Sequence, residues 1–531
     1  MKAINKILFF LFLSFYLHAY SQQIKFQKTF GTSAYDGVGG PPTPDGGYIM
    51  SGGIMVPPII IQNFIMKTDF IGDSLWTKTY ESPNPNLKSN LGVFLSKDGG
   101  YFIPVGFFIG GNIGQPDHYC LIKTDSNGDT VWAKRVVPGN VMYENADGTY
   151  TVMAGMHDLW KVDSGFNNIL FGKKYYGYSQ MKWMEPTEDG GYIIYGNSQV
   201  YASGGAGDRD LYVVKTDSMG SVQWSHSYGT TNMEYLAWGN KCIQQTNDKG
   251  YIFTGTTDVA SIPYILVVKI DSSGNLQWSK TYGGGVGGVD LGVNIRQVVG
   301  AIGYILLGIT RGVETVQSDN RTLLARLDGT GNLTWAKMYG SVATNPLGND
   351  WASIVENTNN GGFVLSGGTE TMGAGDWDGW LIKTDVNGVS GCNEISTSPT
   401  VLVPNIIVGA GGIDSSETPG IITNEGPLVI GTWQMPDSFL CSSIITGVNE
   451  YGLENLISLY PNPTSGLFSV SGLQSTVYGL EIYNVFGECI HQHISTSAHQ
   501  QIDLREAPDG IYFVKIETEQ GMISKKVVVM R

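Results

Sequence analysis

Two short phrases recur along the chain, and their recurrence limits the fold more than any other feature. The first is an Asp-Gly-Gly-Tyr step. It stands at Asp45, Asp98, Asp147 (as DGTY), Asp189, Asp248 (DKGY) and Asn360 (NGGF), with a worn copy, AIGYILLG, from Ala301. The second follows each first: Lys67-Thr68-Asp69, Lys123-Thr124-Asp125, Lys161-Val162-Asp163, Lys215-Thr216-Asp217, Lys269-Ile270-Asp271, Arg326-Leu327-Asp328 and Lys383-Thr384-Asp385. Both occur seven times. Successive first markers lie between 42 residues apart (Asp147 to Asp189) and 59 apart (Asp189 to Asp248). A period in this range belongs to a solenoid, an array or a propeller.

Each unit reads as strands. GYIIYG and LYVVKTD are short runs of Ile, Val and Tyr bounded by Gly and Asp. The Asp-Gly-Gly step supplies the positive φ of a tight hairpin turn. In the Asp-x-x-Gly step, as in Asp125 to Gly128, the Asp side chain caps its own turn. Seven residues after that Asp comes Trp76, Trp132, Trp224, Trp278 or Trp335, and Phe171 takes the place one residue late in the third unit. About four strands, two tight turns and a closing aromatic make one β-propeller blade. The aromatic is expected to pack between blades.

The seventh unit lacks its last strand, since Cys392 stands where the aromatic should be. The missing text lies near the start: IKFQKTFG at 24–31 matches LQWSKTYG at 276–283, with Phe26 for Trp278. Pairing the two ends removes open strand edges. The expected fold is all-β: a seven-bladed β-propeller over 22–390, closed by an N-terminal strand, followed by a small C-terminal β-sandwich over 451–531. The phrase KIDSSGNLQWSKTYGG at 269–284 resembles the secreted bacterial β-propeller repeat. It resembles more loosely the tryptophan-docked repeats of quinoprotein dehydrogenases, which place the glycine and tryptophan one step further on. No quinone cofactor is expected.

The ends carry addresses. Lys2 and Lys6 precede an apolar run from Ile7 to Leu17, and Ala19-Tyr20-Ser21 offers small residues at the peptidase positions. This predicts a signal peptide over 1–21. No later segment is long and apolar enough for a transmembrane helix. Residues 391–450 are poor in charge and rich in turn formers, and read as a linker or irregular β segment. The tail alternates from Leu456 on, with regular turns, as a small sandwich should. It resembles the type A C-terminal sorting domain of the type IX secretion system of Bacteroidetes. The matching residues are Tyr460-Pro461-Asn462-Pro463 with Gly466, Tyr483 with Gly487, Leu504, Gly510 and Tyr512, and Lys525-Lys526-Val527. Asn484 stands where that family usually has Asp. The resemblance implies the type IX secretion machinery as a partner. It also implies passage through the periplasm, removal of the domain, and a secreted or outer-cell-surface destination.

Five cysteines are few for a secreted chain of 531 residues, so disulfides are not its main support. Cys120, Cys242 and Cys489 read as buried thiols. Cys392 and Cys441 flank the irregular stretch and could pair, which spacing leaves open. The chain carries 32 basic and 47 acidic residues, a net charge of -15, without the basic footprint that nucleic acid requires.

No catalytic set stands out. His118, His157 and His226 fall in three different units without metal-ligand spacing, and His491 with His493 fits a hairpin strand better than a chelate. There is no Gly-x-Ser-x-Gly step and no phosphate loop. Sialidase boxes put Asp five residues before Trp, whereas here the gap is seven. What varies between units is the set of longer loops, which consecutive antiparallel strands place on the end of the ring opposite the tight turns. These hold Tyr35, Asp36, Asp208, Asp210, Glu234, Tyr235, Asp290, Asp350, Trp351, Asp376, Trp377 and Asp378. Binding usually lives on such loops. The expectation is a non-enzymatic binding or scaffold propeller facing a glycan, protein or surface. No cofactor is expected beyond calcium, which prefers oxygen ligands. The alternative is a hydrolase or lyase acting on polysaccharide, with Glu234 and Asp350 first to test.

Overall fold

The computed structural model describes residues 24–31, 36–56, 60–81, 88–90, 92–107, 118–136, 139–154, 157–178, 180–200, 209–237, 241–283, 288–311, 319–341, 348–358, 362–375, 377–412, 415–417, 422–424, 429–433, 435, 437–443, 458–471, 477–484, 489–493, 499–518 and 521–530. The segment expected as a signal peptide, residues 1–21, lies outside the described residues. The chain divides into two units, Met1–Ile444 and Ile445–Arg531.

The first unit is an all-β propeller of seven sheets. Blade 4 shows the plan: Gln180–Pro186, Tyr192–Ser198, Asp210–Thr216 and Val222–Gly229 lie side by side in that order, all antiparallel. Blade 7 takes Asp350–Asn357, Phe363–Thr369 and Asp378–Thr384 from the end of the repeats and its fourth strand, Lys25–Phe30, from the start of the chain. The register runs from Phe26 opposite Lys383 to Phe30 opposite Gly379. The N-terminal strand therefore closes the ring, as the matching phrases predict.

Both markers find a physical role. Within a blade the lysine of the second marker reaches back to the aspartate of the first: Lys67 to Asp45 at 2.9 Å, Lys123 to Asp98 at 2.8 Å, Lys161 to Asp147 at 3.0 Å, Lys215 to Asp189 at 2.7 Å and Lys269 to Asp248 at 2.8 Å. The Asp-Gly-Gly turn is thus pinned to the third strand. Burial pushes the Asp189 carboxyl up, but hydrogen bonds from Lys215 and Thr187 outweigh it and hold the group at about 2. A carboxyl held below its ordinary 3.8 stabilises the fold above that pH, and the gain is lost as pH falls toward 2. The Asp189 side chain is half exposed, so solvent screens the pair. Denaturant melts should therefore show a moderate loss of stability from about pH 4 to pH 2. Asp189→Asn should flatten part of that slope.

The aromatic of each fourth strand packs on the next blade, as expected. A side chain built at Gly274, in the turn of blade 5, would meet His226 at 2.5 Å and Trp224 of blade 4 at 3.1 Å, and its φ is +86°. Glycine is required there twice over, for conformation and for room. In five blades a tyrosine four residues after the aromatic crosses the same seam; blade 2 has Val136 there and blade 7 has Phe30. Tyr80, Tyr175, Tyr228 and Tyr282 donate to the carbonyls of Gly128, Gly220, Gly274 and Gly331 at 2.5–2.6 Å, and Tyr339 reaches Gly388 likewise. At the closing seam Phe26 lies 3.0 Å from the same point of Gly72. The core is a set of such seams: Ile49, Ile65 and Tyr80 of blade 1 meet Tyr101, Ile103 and Ile122 of blade 2. Tyr228→Phe removes one cross-blade hydrogen bond and leaves a buried carbonyl unpaired, so thermal or denaturant unfolding should register a loss of about 1–2 kcal/mol.

Of residues 391–450, expected as a linker or irregular β segment, the described ones lie on the outside of the ring. They form seven short strands, each added antiparallel to the fourth strand of one blade. Glu394–Thr397 joins blade 6, Thr400–Leu402 blade 5, Ile407–Ala410 blade 4 and Ser415–Glu417 blade 3. Thr423–Asn424 joins blade 2, Val429–Trp433 blade 1, and Asp437–Ser443 covers the closing strand of blade 7. Adjacent strands rotate by about 20–25°, so four steps turn the fifth strand through roughly a right angle from the first. It then lies along the rim, and the chain passes from blade to blade over connections as short as 398–399. Cys392 and Cys441 are disulfide-bonded. Cys120 and Cys242 are buried thiols, whereas Cys489, expected to be buried, is exposed. The reason is position: Cys489–His493 is the edge strand of its sheet.

The second unit is a small sandwich. Ser458–Tyr460, Leu467–Ser471 and His499–Asp503 form one sheet. Cys489–His493, Val477–Asn484, Gly510–Thr518 and Gly521–Val529 form the other. Phe468, Val470 and Ile502 of the first meet Leu480, Ile482, Val514 and Val527 of the second in one apolar core.

Candidate functional site: the central funnel

The innermost strands of all seven blades end at one cavity of about 510 Å³. Its wall holds one side chain per blade at a matching level, just before each first-marker turn. These are Pro41, Phe94, Tyr143, Glu185, Gln244, Arg296 and Glu356. Trp183, Lys241, Lys97 and Glu144 also line it. The funnel opens at the tight-turn end of the ring, opposite the long loops. The wall is divided: blades 1 to 3 present proline and two aromatics, and blades 4 to 7 present acids, an amide and a guanidinium.

The polar side is a linked charge network. Arg296 Nη1 lies 2.9 Å from Glu185 Oε1 and donates to the Ile243 carbonyl at 3.2 Å. Lys241 is ion-paired with Glu356. Burial pushes the Glu185 carboxyl up, and Arg296 offsets only part of that. Burial also opposes the charge on Glu356, but Lys241 and Arg296 outweigh it and hold the group low. Arg296 Nη2 is buried and has no hydrogen-bond partner in the protein. A bound hydroxyl or carboxylate oxygen would satisfy it. Among the described residues no group of three or more His, Cys, Asp or Glu is placed to hold a metal ion.

The acids expected on the long loops do stand at that end, but they point inward. Asp210, Glu234, Asp290, Asp350 and Asp378 are each 0–1 % exposed, and Trp377 is buried. Each acid packs against the glycine that ends a fourth strand. Atoms of Asp210 and Glu234 lie 2.1 Å and 2.6 Å from where a Gly229 side chain would begin. Asp290 occupies the same place beside Gly283, Asp350 beside Gly340 and Asp378 beside Gly31. Asp350 accepts from Thr369, Thr371 and the Ser341 amide at 2.6–2.9 Å, and Asp378 from the Ala374 and Gly375 amides at 2.5 Å and 3.1 Å. Trp351 is half-buried against Trp377, with ring centres 5.4 Å apart. Asp208, Asp376 and Tyr35 lie outside the described residues, as does the side chain of Asp36.

Glu234 has the most altered titration of these. It accepts from the Thr230 amide and hydroxyl and from Thr257 at 2.6–3.0 Å. Burial raises its carboxyl to about 7 despite those bonds, and Asp210 adds to the rise. An acid raised in the folded state costs stability as pH climbs from about 4.5 to 7, because only the unfolded chain gives up its proton freely there. Glu234→Gln should remove that slope from a melt series across pH 4.5–7.5 and leave the protein no less stable at pH 7.5.

The funnel was legible in the sequence at one position only. The residue seven before the aromatic of each first marker (eight in blade 6) is different in almost every blade, on a scaffold that otherwise repeats.

Comparison with known proteins adds the address. Residues 458–530 match the model of the secretion system C-terminal sorting domain. The tail is a type IX secretion sorting domain. It marks the chain for secretion or the outer surface. Among curated proteins none matches the chain in sequence. Among solved structures it is similar to PorZ, an essential surface component of the type IX secretion system of Porphyromonas gingivalis, at 11% identity over 94% of this chain and 75% of that one, TM-score 0.27. It is also similar to BBS1N in complex with ARL6DN, at 11% identity over 67% and 93%, TM-score 0.36. A eukaryotic initiation factor matches at 8% over 95% and 97%, TM-score 0.31. At such distances none of the three carries an argument, and the propeller reading rests on the strand order above.

The motif of the sorting domain has local causes. Asn462, between Pro461 and Pro463, donates to the Lys526 carbonyl at 2.8 Å and accepts from the Val528 amide at 2.9 Å. It thereby staples the start of the domain to its last strand. Gly466 has φ +113°, and a side chain there would meet the Arg505 backbone at 2.9 Å. Tyr483 donates to Glu481 at 2.7 Å and Tyr512 to the Pro508 carbonyl at 2.5 Å. Gly510 and Lys525 pair with Val529 and Val514 across the last two strands. Gly487 lies outside the described residues. No helix among the described residues is long and apolar enough to cross a membrane.

Proposed function

We propose that the exported ring is a non-enzymatic recognition module that takes one sugar ring of a carbohydrate into the central funnel. The observation that carries this is the divided wall. Pro41, Phe94 and Tyr143 form an apolar side, and Glu356, Gln244 and Arg296 form a polar side, in a cavity of about 510 Å³. A pyranose has the same division, with an apolar C–H face and a hydroxyl rim. Aromatic side chains take the first and charged donors and acceptors the second. The buried, unpartnered Arg296 Nη2 supports a hydrogen-bonding ligand over an apolar one.

A carbohydrate array and a parallel hydrolysis screen on the full-length chain test the reading. Binding without turnover is expected. Phe94→Ala should weaken it about five- to tenfold through loss of one aromatic contact, with the melting temperature little changed. Binding untouched by both Phe94→Ala and Glu356→Gln would move the site elsewhere. Turnover of any polysaccharide would replace a binder with an enzyme.

A further inference from the structure

The outer strands and the disulfide define a covalent circuit. The chain leaves blade 7 at Ser390, visits blades 6, 5, 4, 3, 2 and 1 in turn, and returns to blade 7 at Asp437–Ser443. The bond between Cys392 and Cys441 joins the two ends of that path. We infer that residues 392–441 are a closed hoop around the propeller, and that this single disulfide is a redox latch for the whole rim.

The site of the latch supports this. Cys441 lies opposite Gln27 of the closing strand. Gln27 donates to Ser390 Oγ at 2.8 Å and to the Cys392 carbonyl. Ser390 in turn donates its amide to Glu394 at 2.6 Å, at the first strand of the hoop. Lys28, one residue on, bridges Asp73 of blade 1 at 2.5 Å and Asp437 of the hoop. Four stretches of chain therefore converge at one point: the closing strand, the end of blade 7, and the beginning and end of the hoop. The closing strand is not an edge, because it lies between Asp378–Thr384 and Asp437–Ser443.

Between its ends the hoop is held weakly. Several of its strands pair over two to four residues, such as Thr423–Asn424 and Thr400–Leu402. Segments this short do not persist alone. They are held because both ends are tied. An external dithiol opens the latch: its two sulfurs form a disulfide, Cys392 and Cys441 each gain a proton, and two electrons pass to the protein. A disulfide oxidant reverses the step. Once open, the hoop frays from its ends and bares the outer edges of the fourth strands, which are templates for pairing with other chains.

Hydrogen exchange on the full-length folded protein, with and without a dithiol, tests the latch. Reduction is expected to speed exchange over 394–443 by about tenfold or more, from both ends inward, while Tyr192–Ser198 and the matching strands of other blades stay protected. The Cys392→Ser, Cys441→Ser double variant should exchange like the reduced protein without any reductant. If that variant fails to fold, reduction of the folded wild type gives the same reading. Exchange over 394–443 that is unchanged by complete reduction would overturn the latch. Mass mapping that finds Cys392 and Cys441 unbonded in the folded protein would overturn the hoop.

Discussion

A chain that starts at residue 32 should fail to form a monomeric, cooperatively folding ring. The strand Lys25–Phe30 is paired along both of its edges, with Asp378–Thr384 on one side and Asp437–Ser443 on the other. Phe26 and Phe30 are fully buried, and Lys28 is 1 % exposed. Burying the two rings alone is worth about 3–6 kcal/mol, to which the loss of two rows of backbone pairing adds. The total is comparable to the net stability of a whole domain, about 5–15 kcal/mol. Its removal also leaves two open strand edges facing each other across a gap, which favours association between molecules. Size-exclusion chromatography with light scattering should show oligomers, and the thermal transition should broaden or vanish. A synthetic peptide covering 22–32, added during refolding, should restore the monomer. A truncated protein that stays monomeric with an unchanged transition would contradict the closure.

Serine at both Cys392 and Cys441 should lower the stability of the propeller unit by about 4 kcal/mol on the chain-entropy estimate for a loop of this length. The two residues are separated by 49 positions. The loop is long, so the unfolded chain gains much freedom when the bond is absent. In the folded state the loss also falls on the seam that closes the ring, because Cys441 sits opposite Gln27. Urea denaturation of the oxidised wild type and the double variant measures the difference. The wild type under full reduction should coincide with the variant. A difference well under about 1 kcal/mol would mean that the unfolded chain remains compact around the hoop.

The repeats made the ring readable and left its outside unreadable, for physical reasons. The blade strands bury both faces and repeat their turns, so Asp-Gly-Gly, Lys-Thr-Asp and the Trp or Phe that follows all report one geometry. The displaced strand could be placed because Phe26 and Phe30 keep the spacing of Trp278 and Tyr282. The hoop carries no such signal. Its strands lie on the rim with one edge on a blade, and residues such as Leu402, Val403, Ile407 and Val408 are exposed. Their side chains therefore show no alternation of inside and outside, and the text reads as a linker. The burial of several loop acids was unreadable for a related reason. Asp290, Asp350 and Asp378 stand in polar loop-like text, yet each fills the space left by a glycine at the end of a fourth strand. Arg296 and Glu185 went unnoticed because an inward charge within a strand gives no motif.

The account rests on the closing strand being an interior strand of blade 7, and amide exchange at Lys25–Phe30 in the intact chain measures that most directly. Those amides should exchange as slowly as those of Asp378–Thr384, at the rate of global unfolding. Exchange at the rate of an unpaired terminus, with Asp378–Thr384 still protected, would mean that the ring is not closed by its own beginning.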